Sequence, residues 1–151
     1  MSDEEKLIKL EIQKHFPNLK LPDFEITSPS DFFYNCHACA AKFDDLVMQP
    51  STNPIYGWLT GESSDLLENF VKQFKLLGFV EPTENREVET NFEKIAFYID
   101  GSNEVRHTAR QLENGFWTSK LGTDHDISHR NLECLEGEIY GKVGMILKKP
   151  V

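Results

Sequence analysis

Cys36, Cys39 and His107 are the residues of this chain whose types and settings point to covalent chemistry. Cys36 stands in Asn35-Cys36-His37-Ala38-Cys39-Ala40-Ala41, and His107 in Val105-Arg106-His107-Thr108-Ala109. A thiol attacks carbon only as the thiolate. A helix start and a nearby imidazole are two ways to stabilise that anion. Asn35 reads as the N-cap of a helix running to about Leu46, which places Cys36 in its first turn. His107 is then the candidate general base, an imidazole with a pKa near neutrality. Ser119 is the candidate third member of the constellation, with Gln111 and Asp126 as alternatives for orienting the ring. Asn35, Trp58 and Trp117 are candidate substrate-binding residues. Each has a plainer reading beside it: free cysteine is commonly an inert buried thiol, and histidine or tryptophan on a strand face is often core.

Two other uses of the cysteines are weaker. Cys36-x-x-Cys39 is half of a structural zinc site, but no second such pair exists to complete four ligands. His125 and His129 are four apart, although Asp126-Ile127-Ser128 between them reads as a helix start. A thioredoxin-like dithiol would follow a strand in a βαβ frame, which is missing here. Neither metal nor other cofactor is expected.

The elements that must position these residues change character along the chain. Residues 3–16 read as an amphipathic helix with a Ser2/Glu5 capping box and Leu7, Ile8, Ile12 and Phe16 at helical spacing; Pro17 ends it. A short extended piece at Phe24-Glu25-Ile26 leads to the Cys36 helix. Residues 49–63, with Pro50, Pro54, Gly57 and Gly61, read as an irregular loop whose Tyr56 and Trp58 line a cleft. Residues 64–77 carry one apolar stripe, Leu66, Leu67, Phe70, Val71, Phe74 and Leu77, capped by Ser63 or Ser64 and closed by Gly78. Residues 81–91 are polar, with mobility expected.

After that the period becomes alternating. Ile95, Phe97 and Ile99 share one strand face, and Val105, His107, Ala109 and Gln111 one face of the next. Glu113-Asn114-Gly115 is a hairpin turn, and its register sets Trp117 and Ser119 on the His107 face. Arg106 and Arg110 fall opposite, with solvent as their default. Residues 127–136 read as a short helix and Tyr140 to Leu147 as a last strand. The expectation is one α+β domain over 1–151: a helix and connector over 1–23, then a core over 24–151 in which helices pack on a C-terminal antiparallel sheet.

Bulk properties narrow the function classes. The chain has 151 residues, 39% hydrophobic and 27% charged, enough for a sizeable core. Sixteen Lys and Arg against 25 Asp and Glu give a net charge of −9, which disfavours a general nucleic-acid surface. No apolar run is long enough to span a membrane, and the acidic start Met1-Ser2-Asp3-Glu4-Glu5 does not read as a secretory signal. A cytoplasmic protein with a peptide or protein as substrate or partner is expected. Three cysteines without such a signal argue against a disulfide framework.

Several motifs carry a resemblance. Ile26-Thr27-Ser28-Pro29 with Tyr34-Asn35-Cys36, His107-Thr108-Ala109-Arg110-Gln111-Leu112, Gly115 to Gly122, Asp126-Ile127-Ser128-His129, Leu135-Glu136-Gly137 and Tyr140-Gly141 look like a bacterial domain family of unknown function. The likeness covers most of the chain from about residue 24. More remotely, the order is similar to papain-like folds of the NlpC/P60 kind, which cleave amide bonds in bacterial cell-wall peptides. That resemblance implies Cys36 as helix-start nucleophile and His107 as strand-borne base. The aspartate before and serine-glycine after an NlpC/P60 nucleophile are absent, Asn35-Cys36-His37 standing instead. The functional expectation is a cysteine hydrolase or acyl transferase acting on an amide or ester bond, with a non-catalytic protein-binding or immunity-type domain on the same fold as the alternative.

Overall fold

A computed structural model describes residues 2–31, 33–121 and 125–151. Its centre is a seven-stranded, wholly antiparallel open sheet built from β1 (Phe24–Ser28), β2 (Glu81–Thr83), β3 (Phe92–Ile99), β4 (Val105–Gln111), β5 (Trp117–Lys120), β6 (Asp126–His129) and β7 (Lys142–Pro150). The strand order is β1-β6-β5-β4-β3-β7-β2. Three helices, α1 (Asp3–His15), α2 (Cys36–Ala40) and α3 (Leu67–Leu76), are interspersed in sequence. The α+β class and the antiparallel sheet therefore agree with the sequence reading.

Strand alternation gives the sheet two apolar faces, each with its own core. On one face Ala96, Tyr98, Ala109, Trp117 and Ile127 pack with Ile12 and Phe16 of the N-terminal segment and with Leu132 and Leu135. On the other, Ile95, Phe97 and Leu147 pack with Ala38 of α2 and with Phe70 and Phe74 of α3. Phe70 and Phe74 meet Phe97 edge-on, with centroids 5.9 and 5.2 Å apart, the geometry that aromatic quadrupoles favour.

Helix α1 begins as its sequence predicts, the Ser2 hydroxyl accepting from Glu5 N. Its buried stripe also includes Lys9, whose Nζ donates to Phe24 O at 3.2 Å and reaches Glu25 at 3.1 Å. The N-terminal segment is thus built into the core, while Leu7 is 68% exposed.

Other expectations are corrected. Helix α2 has five residues and does not run to Leu46, because Lys42 turns left-handed at φ 68°. Neither Ser63 nor Ser64 caps α3; Leu66 occupies that place and the Asn103 carbonyl accepts from Leu67 N at 2.9 Å. Residues 127–136 are not a helix. Asp126–His129 is a strand between β1 and β5, and only Leu132–Leu135 makes a 3-10 turn. The pairing partners, available only in the folded sheet, override the local helical signal. The polar stretch 81–91 is pinned: buried Lys94 Nζ donates to Asn85 O at 2.8 Å and Glu87 O at 2.6 Å and pairs with Glu89 at 2.7 Å.

Gly141 is sterically required. Its φ is 78°, and a Cβ there would lie 1.9 Å from Ile99 O. No described helix is long and apolar enough to cross a membrane.

Candidate functional site

Asn35 builds the Cys36 turn. Its Oδ1 accepts from Ala38 N and from Met48 N, both at 3.1 Å, and its Nδ2 donates to Met48 O at 2.9 Å. The side chain that the sequence assigns to substrate binding is therefore engaged in capping α2 and tying down the loop at Met48.

Cys36 follows at the first helical position, 6% exposed and packed on β4. Its Sγ lies 3.7 Å from His37 Nδ1. Burial pushes the thiol up to about 12; the Thr108 backbone amide beside the sulfur draws it only partly back. The neighbouring imidazole is neutral as well. Burial lowers His37 to about 4, and its Nδ1 shares a 2.8 Å hydrogen bond with the Thr108 hydroxyl.

Thr108 fixes the direction of the rest of β4. Its side chain points to α2, so by alternation His107 points to the opposite face. There the His107 ring stacks on Tyr140 at 4.1 Å and 4° and tilts against Tyr98 at 5.4 Å. It is fully buried, and neither ring nitrogen has a hydrogen-bond partner. Burial, then the nearby His37 and His129, hold it well below the usual imidazole range. The Cys36–His107 pair expected from the sequence is thus not assembled, because consecutive strand residues face opposite ways and a thiol on the α2 side meets Thr108 instead.

Ser119 and Trp117 do share the His107 face. Ser119 does not orient His107, however; its hydroxyl donates to His129 Nε2 at 2.7 Å. His129 Nδ1–H donates to Asn131 O at 2.8 Å, which fixes the tautomer. Burial lowers His129 to about 4. Gln111, the first alternative orienter, donates instead to Arg86 O. Trp117 is 1% exposed and lies in the α1-side core. Trp58 is 5% exposed, edge-on to Phe70 at 4.8 Å, and donates its indole N–H to Asn69 Oδ1 at 3.3 Å. Trp117 borders a shallow groove formed with residues 86–88 and 130–133.

The chemistry that does gather on the α2 side was largely missed. Arg110, Thr118, Lys120 and Asp126 come to one face because Arg110 pairs with Thr118 and Lys120 with Asp126 across adjacent strands. Lys120 is fully buried; its Nζ sits 4.2 Å from the Tyr34 ring centroid and 3.5 Å from Asp126 Oδ1. Tyr34 donates its hydroxyl to Asp126 Oδ2 at 2.6 Å. Burial, then that bond, raises Tyr34 to about 12. Cys39, partly exposed, faces Asp126, Arg110 and Lys120. Burial first, then Asp126, raises its thiol to about 11 against the pull of the two cations. Alternation in Thr108-Ala109-Arg110 and Thr118-Ser119-Lys120 was the signal that could have found this cluster.

Burial keeps these thiols and imidazoles uncharged. At neutral pH both thiols of α2 are protonated and the three buried imidazoles are neutral. A metal site at Cys36, Cys39 and the histidines does not form: among the described residues no group of three or more His, Cys, Asp or Glu could hold an ion. His129 faces the α1-side core and uses both ring nitrogens in hydrogen bonds.

The family model described as Domain of unknown function (DUF7689) matches residues 25–148. The chain belongs to that family. The match begins within β1 and ends within β7, so it reaches every strand of the sheet and leaves out α1. No curated protein and no solved structure matches the chain.

Proposed function

We propose that this protein is a non-catalytic, protein-binding domain of immunity type, acting through its surface. The observation that carries the reading is the separation of the thiol and the imidazole. Cys36 and His107 face opposite sides of the sheet, and each is sealed from solvent. A general base must come within hydrogen-bond reach of the proton it removes. A net charge of −9 adds support, since it favours a partner with a basic surface and speeds encounter with it. So do exposed apolar side chains such as Phe33 and Ile55, 76% and 69% accessible, which suit the apolar centre of an interface.

Hydrolysis or acyl transfer through Cys36, His107 and Ser119, on a papain-like fold, is the competing proposal. Its support is the chain order Cys, helix, His strand, and the contact of α2 with β4: Thr108, whose amide meets the Cys36 sulfur, is the residue after His107. It requires β4 to shift by one residue, which would turn every β4 side chain to the other face.

Reaction of the native protein with p-nitrophenyl acetate separates the two. The binding-domain reading expects no burst of nitrophenolate and no acyl adduct on Cys36 by mass spectrometry. A burst stoichiometric with protein, lost in both Cys36→Ala and His107→Ala, overturns it in favour of the hydrolase.

A further inference from the structure

Arg110 is the arginine of this chain without a described counter-charge. Arg86, Arg106 and Arg130 each hold a carboxylate, Glu133, Asp100 and Asp23 respectively. Arg110 makes no ion pair with a described residue, and its Nε is buried without a hydrogen-bond partner. It is placed on the α2 side of β4 by pairing with Ile95 and Thr118. A partly buried guanidinium left in this condition lacks the bidentate acceptor its planar fork is shaped for.

Arg110 also lines a groove of roughly 780 Å³ between the 88–94 segment and the β4–β5 turn. The other lining cations are satisfied: Lys42 bonds Glu93, and Lys94 bonds Glu89. Glu113, exposed at the turn, is the lining glutamate without a described ion-pair partner. One unpaired cation and one unpaired carboxylate therefore share a groove whose wall includes Val88, Phe92 and Leu112. Two residues of chain, 111 and 112, lie between them, so their Cα atoms are at most about 11 Å apart. Three glutamates along the groove repel a polyanion such as a nucleotide or a phosphorylated segment.

We infer that this groove binds the C-terminal end of a peptide or protein chain, with Arg110 holding the α-carboxylate and Glu113 a lysine or arginine side chain just before it. The apolar wall takes the terminal side chain. The volume is in the range that encloses a ligand of a few residues. The inference rests on the binding-domain reading and names the partner chemistry: a basic chain with a free, apolar C-terminal residue.

The test is titration of the isotope-labelled full chain with acetylated glycyl-lysyl-leucine, followed by amide NMR. The same peptide with a C-terminal carboxamide is the comparison. Saturable shifts are expected at Asn91, Leu112 and Asn114, with the carboxamide at least about tenfold weaker, the size of one lost charge-assisted bond. Arg110→Gln abolishes the preference for the free carboxylate, and Glu113→Gln weakens both peptides alike. Both variants must keep the parent spectrum outside the groove; if Arg110→Gln does not, Arg110→Lys replaces it and is expected to bind with reduced preference. Equal binding of the two peptides, or shifts elsewhere, overturns the groove assignment and leaves the binding-domain reading standing. A stoichiometric acyl burst overturns that reading instead and leaves the groove to the peptide titration.

Discussion

Thr108 and His107 are neighbours in sequence with opposite surroundings, and that single alternation decides the reactivity of Cys36. With burial holding Cys36 near 12 and Cys39 near 11, alkylation should be slow at pH 7 and should keep accelerating above pH 9. Peptide mapping after iodoacetamide treatment checks this, with Cys39, the more accessible, labelled before Cys36 and Cys134. A labelling rate that levels off below pH 8 would contradict it. The buried imidazoles make a second prediction. His37 and His129 have folded pKa values of about 4, below the ordinary 6.5. The unfolded chain therefore binds more protons between those limits, so stability is fully present above about pH 6.5 and declines as pH falls toward 4. Each contributes up to roughly 3 kcal/mol to that decline. Urea denaturation at pH 7 and pH 4.5 measures it, and His129→Gln should flatten the pH dependence while lowering stability at pH 7.

At the scale of elements, short pieces are held by side chains rather than by their own propensity. A helix as short as α2 would not form alone in water. Asn35 supplies its cap and also both bonds to Met48. Asn35→Ala should cost about 2–3 kcal/mol, a lost cap plus buried loop amides left unmatched, read as a lower urea midpoint with unchanged slope. The polar segment before β3 depends on Lys94 in the same way. Lys94→Met removes the donor to Asn85 O and Glu87 O and the partner of Glu89. Limited trypsin digestion should then cut after Arg86 much faster than in the parent, with far-ultraviolet dichroism little changed.

Over the whole molecule, the sheet is covered on both faces, and α1 covers one of them although it lies outside the 25–148 family match. Removing residues 2–19 would strip Ile12, Phe16 and Leu19 from the core and take away Lys9, the buried donor to Phe24 O. Three large side chains lost from a core amount to several kcal/mol, comparable with the whole stability of a domain. The truncated chain is expected to aggregate or bind a hydrophobic dye at 25 °C. A monomeric product with the parent melting temperature would show that the 25–148 unit folds without it.

Much of this architecture was legible in local pattern. Alternation located β3, β4 and β5, a last strand was read over Tyr140 to Leu147, the Glu113-Asn114-Gly115 turn placed Trp117 and Ser119 on the His107 face, and the stripe from Leu66 to Leu77 indicated α3, because period and turn chemistry are properties of neighbouring residues. Asn35 as the cap of α2 was legible for the same reason. The site was not. Which face of β4 meets α2, whether Asp126–His129 pairs as a strand, and whether Arg110 sees solvent are settled by partners far away in sequence. Strand pairing and burial with such partners stabilise by at least as much as the local preferences they override. The α+β class, the antiparallel hairpins and the acidic character follow from composition and from patterns among neighbouring residues. Contacts between distant segments set Cys36 and His107 back to back across a sheet and leave Arg110, among the described arginines, without a counter-charge.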